Sequence, residues 1–324
     1  MSTAIFDTFP ERVRILKSAI AKRIVGQETV VEDMLIALFS GGHCLFIGVP
    51  GLAKTLMVNT ISESLGLTFR RVQFTPDLMP SDITGSEILQ QDPESGNRQL
   101  QFVRGPIFTN LLLADEINRT PPKTQSALLE AMQERQVTAL GTTYELAPPF
   151  QVFATQNPIE QEGTYPLPEA ALDRFMFSVF VNYPSAAEEM EIVRRTIRSS
   201  LPAVENVMSQ AELLELQSLL TDLPISDEVI RYCTALARAT RPEVSTHENI
   251  KQLLRYGAGT RASTYLAVGA RTLAAMNGHD TPSVDDVRRV APSVLRHRIV
   301  RNFQAEASGV TADDIISQLI REVK

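Results

Sequence analysis

Eight residues, Gly48-Val49-Pro50-Gly51-Leu52-Ala53-Lys54-Thr55, constrain this chain more than any other stretch. They follow a short apolar run, His43 to Ile47, and open a helical segment. Strand, glycine-rich turn and helix, in that order, are the context in which a G-x-x-x-x-G-K-[ST] pattern turns its backbone N–H groups inward around phosphate. Gly48 and Gly51 supply the tight turn, Lys54 is placed to reach β- and γ-phosphates, and Thr55 is placed to bind Mg²⁺. Ala53 stands where the pattern has its second glycine. A methyl is tolerable there if the residue has helical φ and ψ, so helical backbone is expected at Ala53.

A second constraint lies further along. Leu111-Leu112-Leu113-Ala114 reads as a fully buried strand and ends in Asp115-Glu116. The carboxyl edge of an α/β sheet is where such proteins bind ligands. Asp115 there suits Mg²⁺, which keeps much of its hydration and takes few carboxylates. Glu116 suits the orientation of an attacking water, the kind of positioning that phosphoryl transfer needs. Another apolar run, Phe150 to Ala154, leads into Thr155-Gln156-Asn157-Pro158, which offers the Asn157 amide to a γ-phosphate or a water. Arg174, after Leu172-Asp173, and Arg261, in Gly257-Ala258-Gly259-Thr260-Arg261, are the candidates to neutralise developing charge, with Arg104 and Arg119 behind them and their roles open.

The spacing of the apolar runs gives the fold class. Strand-like runs recur at 43–47, 68–74, 110–115, 150–156 and 175–180, with helical segments such as Lys123–Glu134 between them. Alternation of this kind predicts an α/β fold with a mostly parallel sheet covered on both faces. Ahead of it, Phe6 to Phe39 is helical, interrupted at Val25-Gly26-Gln27-Glu28. The stretch 76–104 does not fit a strand–helix unit. Ile83–Gln90 and Arg98–Val103 flank the turn-rich Asp92-Pro93-Glu94-Ser95-Gly96-Asn97, which predicts an inserted β-hairpin. A second hairpin is expected at Gln136–Leu146, turning at Gly141-Thr142. After Tyr183-Pro184, capping-box patterns at Ser185–Glu188 and Ser209–Glu212 open helices, and the rest reads as helix and turn. The expected domains are therefore 1–184, α/β, and 185–324, α-helical.

Composition enters through what it argues against. A formal charge of −7 is contrary to a protein that grips nucleic acid, where phosphate contacts dominate affinity. The two cysteines, Cys44 and Cys233, lack metal-ligand spacing and fit a reduced, cytoplasmic setting. The first residues, Met1 to Arg14, have no signal-peptide pattern, and no run approaches the roughly 20 apolar residues of a membrane span.

Taken in order, the phosphate loop, Asp115-Glu116, Asn157, Arg174 and Arg261 resemble an AAA+ ATPase, and more narrowly the MoxR family. The narrower resemblance is carried by Gly105-Pro106-Ile107-Phe108, by Ala114-Asp115-Glu116-Ile117-Asn118-Arg119, by Pro168-Glu169-Ala170-Ala171-Leu172-Asp173-Arg174-Phe175 and by Tyr256-Gly257-Ala258-Gly259-Thr260-Arg261-Ala262-Ser263. Gly259-Thr260 stands where that lid motif often has Ser-Pro, a departure that bears on the local turn. The resemblance implies a P-loop core with a five-stranded sheet in the order 5-1-4-3-2, an α-helical lid, and the 76–104 hairpin as the helix-2 insert facing the pore of a ring. It implies ATP and Mg²⁺ as cofactors, bound at the subunit interfaces of a hexamer. Asn157 would be the first sensor, Arg261 the second, Arg174 the finger presented to the neighbouring subunit, and Val25-Gly26-Gln27 would lie by the adenine. It also implies a chaperone that remodels or activates partners, often von Willebrand factor A domain proteins and metal-dependent enzymes.

Two other readings compete. Replicative helicases share the helix-2 insert, so a nucleic-acid motor is the runner-up. The insert here carries Arg98 and Arg104 but also Glu87, Asp92 and Glu94, and no lysine stripe or aromatic stacking set. A nucleotide-gated scaffold with little turnover has no need of Glu116 or Arg174.

Overall fold

The computed structural model describes residues 2–91, 98–139, 141–159, 163–197 and 202–323. The expected hairpin turn at 92–97, with Asp92 and Glu94, lies outside the described residues. Five strands form the central parallel sheet: β1 (Cys44–Ile47), β2 (Phe69–Gln73), β3 (Leu111–Asp115), β4 (Gln151–Gln156) and β5 (Phe177–Phe180). Their order across the sheet is β2-β3-β4-β1-β5, the expected order read from the opposite edge. β1, β3 and β4 are almost wholly buried, which requires both faces of the sheet to be covered there. Successive side chains of β3 show it: Leu111 and Leu113 join a core formed with the N- and C-terminal helices, while Leu112 and Ala114 join a second core over the helix Pro122–Glu134.

The register fixes where the chemistry falls. Ile47 is opposite Gln156, Ala114 opposite Ala154, and Gln73 opposite Asp115. The carboxyl ends of β1, β4, β3 and β2 therefore reach one edge together. The loop 48–55 leaves that edge from β1 and runs into the helix Lys54–Ser64.

Below that edge His43, buried ahead of β1, is a fully paired neutral imidazole. Its Nδ1 accepts from the Val152 N–H at 2.9 Å and its Nε2 donates to the Met132 carbonyl at 3.2 Å. Burial holds its pKa down, from 6.5 to about 4. Its own carbonyl accepts from the Met176 N–H at 2.8 Å.

Two antiparallel hairpins project from the sheet. The first pairs Gly85–Gln91 with Arg98–Arg104, and the second pairs Gln136–Ala139 with Thr142–Glu145. Ile83 belongs to the short helix Pro80–Thr84 ahead of the first hairpin rather than to its strand, because Pro80 at N1 favours a helical start. The hairpins touch through aromatic rings. Phe102 stacks on Tyr144 at 4.4 Å between centroids, and Phe108 meets both edge-on at 6.0 and 6.4 Å.

From the Ser185 cap onward the described residues form helices joined by turns and irregular segments, and among them there is one strand pair. Leu254–Tyr256 pairs antiparallel with Val300–Arg301. A ribbon of three and two residues is too short for a period-2 pattern to register against its helical surroundings. The helical half also shares its apolar core with the first: Phe9, Leu16 and Met34 pack in one cluster with Leu216, Leu266 and Val294. Polar contacts join the same surfaces. Buried Asp33 accepts from Ser293 at 2.6 Å and from Arg289 at 3.1 Å, and Arg289 also pairs with Glu32 at 2.7 Å. Among the described residues no helix is long and apolar enough to cross a membrane.

Candidate functional site

A cleft of about 390 Å³ opens at the shared sheet edge. It is lined by the loop residues Gly48 and Pro50 to Thr55, by Asp115, Glu116 and Asn157, and by Arg71, Gln73 and Thr155. The loop's sequence explains its shape. A Cβ at Gly48 would lie 2.5 Å from the Val181 carbonyl oxygen, and Gly51 has φ +85°, so both positions need glycine. Ala53 departs from expectation. Its φ of 56° and ψ of 17° are left-handed, not helical. The loop must reverse there to point the first N–H groups of the helix Lys54–Ser64 at the cleft, and the exposed methyl is carried at about 1–2 kcal/mol of backbone strain.

Lys54 is buried and donates to the Gly48 and Val49 carbonyls at 2.7 and 2.8 Å. Burial lowers its pKa, and the charges of Asp115 and Glu116 pull it back up. The cleft is therefore a place where one ammonium faces two carboxylates.

Those carboxylates are held by Arg119, a candidate from the sequence, and by three strand residues that are not among the candidates. The Thr155 hydroxyl donates to Asp115 Oδ1 at 2.5 Å and accepts from the Glu116 N–H at 2.8 Å, so one buried side chain on β4 sets both acids. Arg71 on β2 binds Asp115 Oδ2 at 2.6 Å. Gln73 donates to Glu116 Oε2 at 2.6 Å, and Arg119 pairs with the same oxygen at 2.9 Å. Glu116 itself is left-handed, with φ 56° and ψ 50°, a second strained non-glycine residue on the cleft wall. Thr155, Gln73 and Arg71 could have been found from sequence only with the strand order in hand, since each is one position on an ordinary strand. Asn157 is buried at the cleft and accepts from the Ile159 N–H at 3.1 Å.

The oxygen donors suit a hard divalent cation. Thr55 offers a hydroxyl and Asp115 a carboxylate on a common cleft. Among the described residues no group of three or more His, Cys, Asp or Glu could hold a metal by itself. An ion with few protein ligands and the rest from water and phosphate is the habit of Mg²⁺.

The other sequence candidates stand apart from the cleft. Val25, Gly26 and Gln27 do not line it, though they flank its loop. Gln27 donates to the Asn182 carbonyl at 2.8 Å, next to the Val181 that packs on Gly48, and a Cβ at Gly26 would strike the Glu188 carboxylate. Arg174 and Arg261 do not line it either. Arg174 donates to Gln133 Oε1 at 2.8 Å and to the Ala170 carbonyl at 2.6 Å. Arg261 pairs with Asp173 Oδ2 at 2.6 Å, and Arg298 takes the other carboxylate oxygen at 2.8 Å. Burial lowers the Arg298 pKa while Asp173 raises it, and the guanidinium stays charged. Arg104 lies over the Phe108 ring, 5.2 Å from its centroid, in the hairpin cluster rather than at the cleft.

The lid motif is built as its glycines require. A Cβ at Gly257 would lie 2.4 Å from the Thr240 carbonyl oxygen, whereas Gly259 is extended and has open space around it. The departure at Gly259-Thr260 therefore leaves the turn intact, and Thr260 begins the helix Thr260–Met276 that carries Arg261.

A nucleotide loop on β1, acids on β3, a polar residue after β4 and a helical unit behind them define a P-loop ATPase-type protein of the AAA class. Comparison with known proteins agrees. The family described as "ATPase family associated with various cellular activities (AAA)" matches residues 43–177, and the "AAA lid domain" matches residues 246–319. The Mycobacterium tuberculosis protein named Chaperone MoxR1 is 45% identical over 301 residues, 93% of this chain and 78% of that one. Protein MoxR of Methylorubrum extorquens is 28% identical over 94% of this chain and 91% of its own length. The crystal structure of a Cytophaga hutchinsonii protein assigned as an ATPase matches with a TM-score of 0.91 at 41% identity, covering 99% of this chain and 97% of that one. The chain belongs to the MoxR family of AAA+ ATPases.

Proposed function

We propose that this chain hydrolyses ATP with Mg²⁺ and uses the cycle to remodel or activate partner proteins, working as a ring of identical subunits in the cytoplasm. The observation that carries the proposal is the separation of the site into two parts. Lys54, Thr55, Asp115, Glu116 and Asn157 share one cleft, while Arg174 and Arg261 lie together outside it, joined through Asp173. The loop N–H groups and Lys54 hold the β- and γ-phosphates. Thr55 and Asp115 hold Mg²⁺, which when bound neutralises charge developing on the phosphates. Glu116 orients the attacking water and Asn157 steadies it or the γ-phosphate. Arg174 and Arg261 supply positive charge to the nucleotide of the next subunit, and Val25, Gly26 and Gln27 flank the base. Residues 1–184 serve as the nucleotide-binding domain and 185–324 as the lid.

Two exposed apolar surfaces support assembly and a protein client. The helix Ala186–Thr196 buries none of its residues and exposes Met190 and Val193, with Ile197 following on the same stripe. The first hairpin exposes Leu89 and Leu100, 58% and 68% accessible and paired across its strands. Apolar side chains at that site favour protein over a phosphate backbone, which would call for cations. A von Willebrand factor A domain protein or a metal-dependent enzyme is the client that the family suggests.

The test is the Glu116→Gln variant. It retains ATP and loses turnover by about 10²-fold or more, read as steady-state phosphate release. Specific activity of the unaltered chain rises with protein concentration as subunits assemble. Normal turnover in Glu116→Gln removes the role given to that residue, and DNA binding that is tight and falls steeply with salt would favour a nucleic-acid motor instead.

A further inference from the structure

Three consecutive lid residues bond the turn that carries Arg174 and the strand it enters: His297 and Arg298 hold the turn, and Arg296 holds β5. Arg296 Nη1 donates to the Ser178 carbonyl at 2.7 Å, and His297 Nε2 meets the Phe175 carbonyl at 3.0 Å. Arg298 is the most engaged. Its Nε donates to Asp173 Oδ1 at 2.8 Å, its Nη2 to the Asp173 and Phe175 carbonyls at 2.9 and 2.5 Å, and its Nη1 to the Met176 carbonyl at 3.2 Å and to that of Val294.

Arg298 is only 7% accessible. Burying a guanidinium is expensive unless its N–H groups are paired. Four of its five acceptors belong to Asp173–Met176, on both sides of Arg174, and the carboxylate it holds is the one that holds Arg261. Fastening the lid to the core does not require this arrangement. Arg289 with Asp33 and Glu32, and Arg12 with Glu212, already join the two.

We infer that Arg298 is a positioning residue for Arg174 and Arg261: it fixes the Asp173–Met176 turn from the lid, so that both arginines are presented in the geometry a neighbouring nucleotide requires. This rests on the reading above that the two arginines act on the next subunit. Arg298 touches no reacting atom. Its effect passes through the backbone on either side of Arg174 and through Asp173. Lysine cannot replace it, because one ammonium cannot span acceptors that a planar fork reaches together.

Mixed assemblies test this with MgATP as the only probe. Arg298→Lys alone lowers kcat by about 10- to 100-fold, the scale of a misplaced catalytic group, while KM for ATP holds. Mixing it with Glu116→Gln restores phosphate release, because the Arg298→Lys subunits keep a complete cleft and receive well-placed arginines from their Glu116→Gln neighbours. Arg174→Ala mixed with Glu116→Gln is the control and recovers in the same way. Recovery of the control without recovery of folded Arg298→Lys overturns the inference, as does full activity of Arg298→Lys alone. Failure of the control rejects action on the neighbour, and the inference with it. Thermal melting reports folding. Where Arg298→Lys melts below the assay temperature, Asp173→Asn decides by the same mixture, with a smaller loss and the same recovery expected.

Discussion

Lys54 follows β1 and Asp115 and Glu116 end β3, two strands of one sheet with β4 between them, and all three face a common cleft, whereas Arg261 and Arg298, from a helix start and the segment after another helix, meet on Asp173, the chain neighbour of Arg174. The two regions are fixed by different means. The cleft is fixed from within the sheet: Gly51, Ala53 and Glu116 all have positive φ, and the side chains that hold the acids, Thr155, Gln73 and Arg71, come from adjoining strands. The arginine turn has no positive-φ residue in Asp173–Met176 and is held by side chains of the lid. A cleft of the first kind keeps its shape wherever the lid stands. A turn of the second kind takes part of its shape from the lid, through the acceptors that Arg298 fills.

The largest expected effect tests the turn. Arg174→Ala lowers kcat by about 10³–10⁵-fold with ATP affinity retained, measured by phosphate release and equilibrium nucleotide binding. A loss confined to binding would place Arg174 with the cleft and break the comparison. Acid comes next. His43 and His297 both lie against Phe175–Met176, and burial lowers the pKa of each, that of His43 to about 4. A histidine whose folded pKa is depressed contributes stability that is complete above its unfolded value near 6.5 and is lost as pH falls toward the folded value. For His43 this is about 3 kcal/mol lost between pH 6.5 and about 4. Denaturant midpoints across that window measure it, and a flat profile in the unaltered chain counts against the neutral, paired imidazole.

Smaller effects test the cleft. Thr155→Val strands the Glu116 N–H and one oxygen of Asp115, so it lowers stability by about 1–3 kcal/mol and slows turnover, and Thr155→Ser restores both. Equal activity in the valine variant would mean that the acids hold their positions unaided. Ala53→Gly relieves a left-handed residue and raises stability by no more than about 1 kcal/mol, read as a shift in melting temperature. A lower melting temperature would show that the methyl makes a contact worth more than the strain.

The same difference explains what could be read from the sequence. The cleft is written in contiguous runs, loop then strand end, so Lys54, Thr55, Asp115, Glu116 and Asn157 stand out, and the alternation of runs gives the α/β class. Thr155, Gln73 and Arg71 do not stand out, because they become neighbours of the acids only once β2, β3 and β4 are placed side by side. The left-handed backbone at Ala53 is not legible for a related reason: an alanine permits both helical and left-handed backbone, and the direction of the following helix decides between them. Arg298 is further out of reach. It meets Asp173 across 125 residues, and nothing local marks it from an exposed arginine at a helix end.

The stacked rings of Phe102 and Tyr144 have a mechanical consequence. They fuse two hairpins that leave the chain on opposite sides of the segment bearing Glu116: one returns through Arg104 to β3, the other springs from the end of the helix Pro122–Glu134, where Leu146 N–H bonds the Arg135 carbonyl at 2.9 Å. The pair is one arm with two roots, and the acid lies in the span between them. A load on the stacked rings reaches that span from both ends at once, as in a closed linkage, so the arm cannot swing about a single hinge without displacing one of its roots.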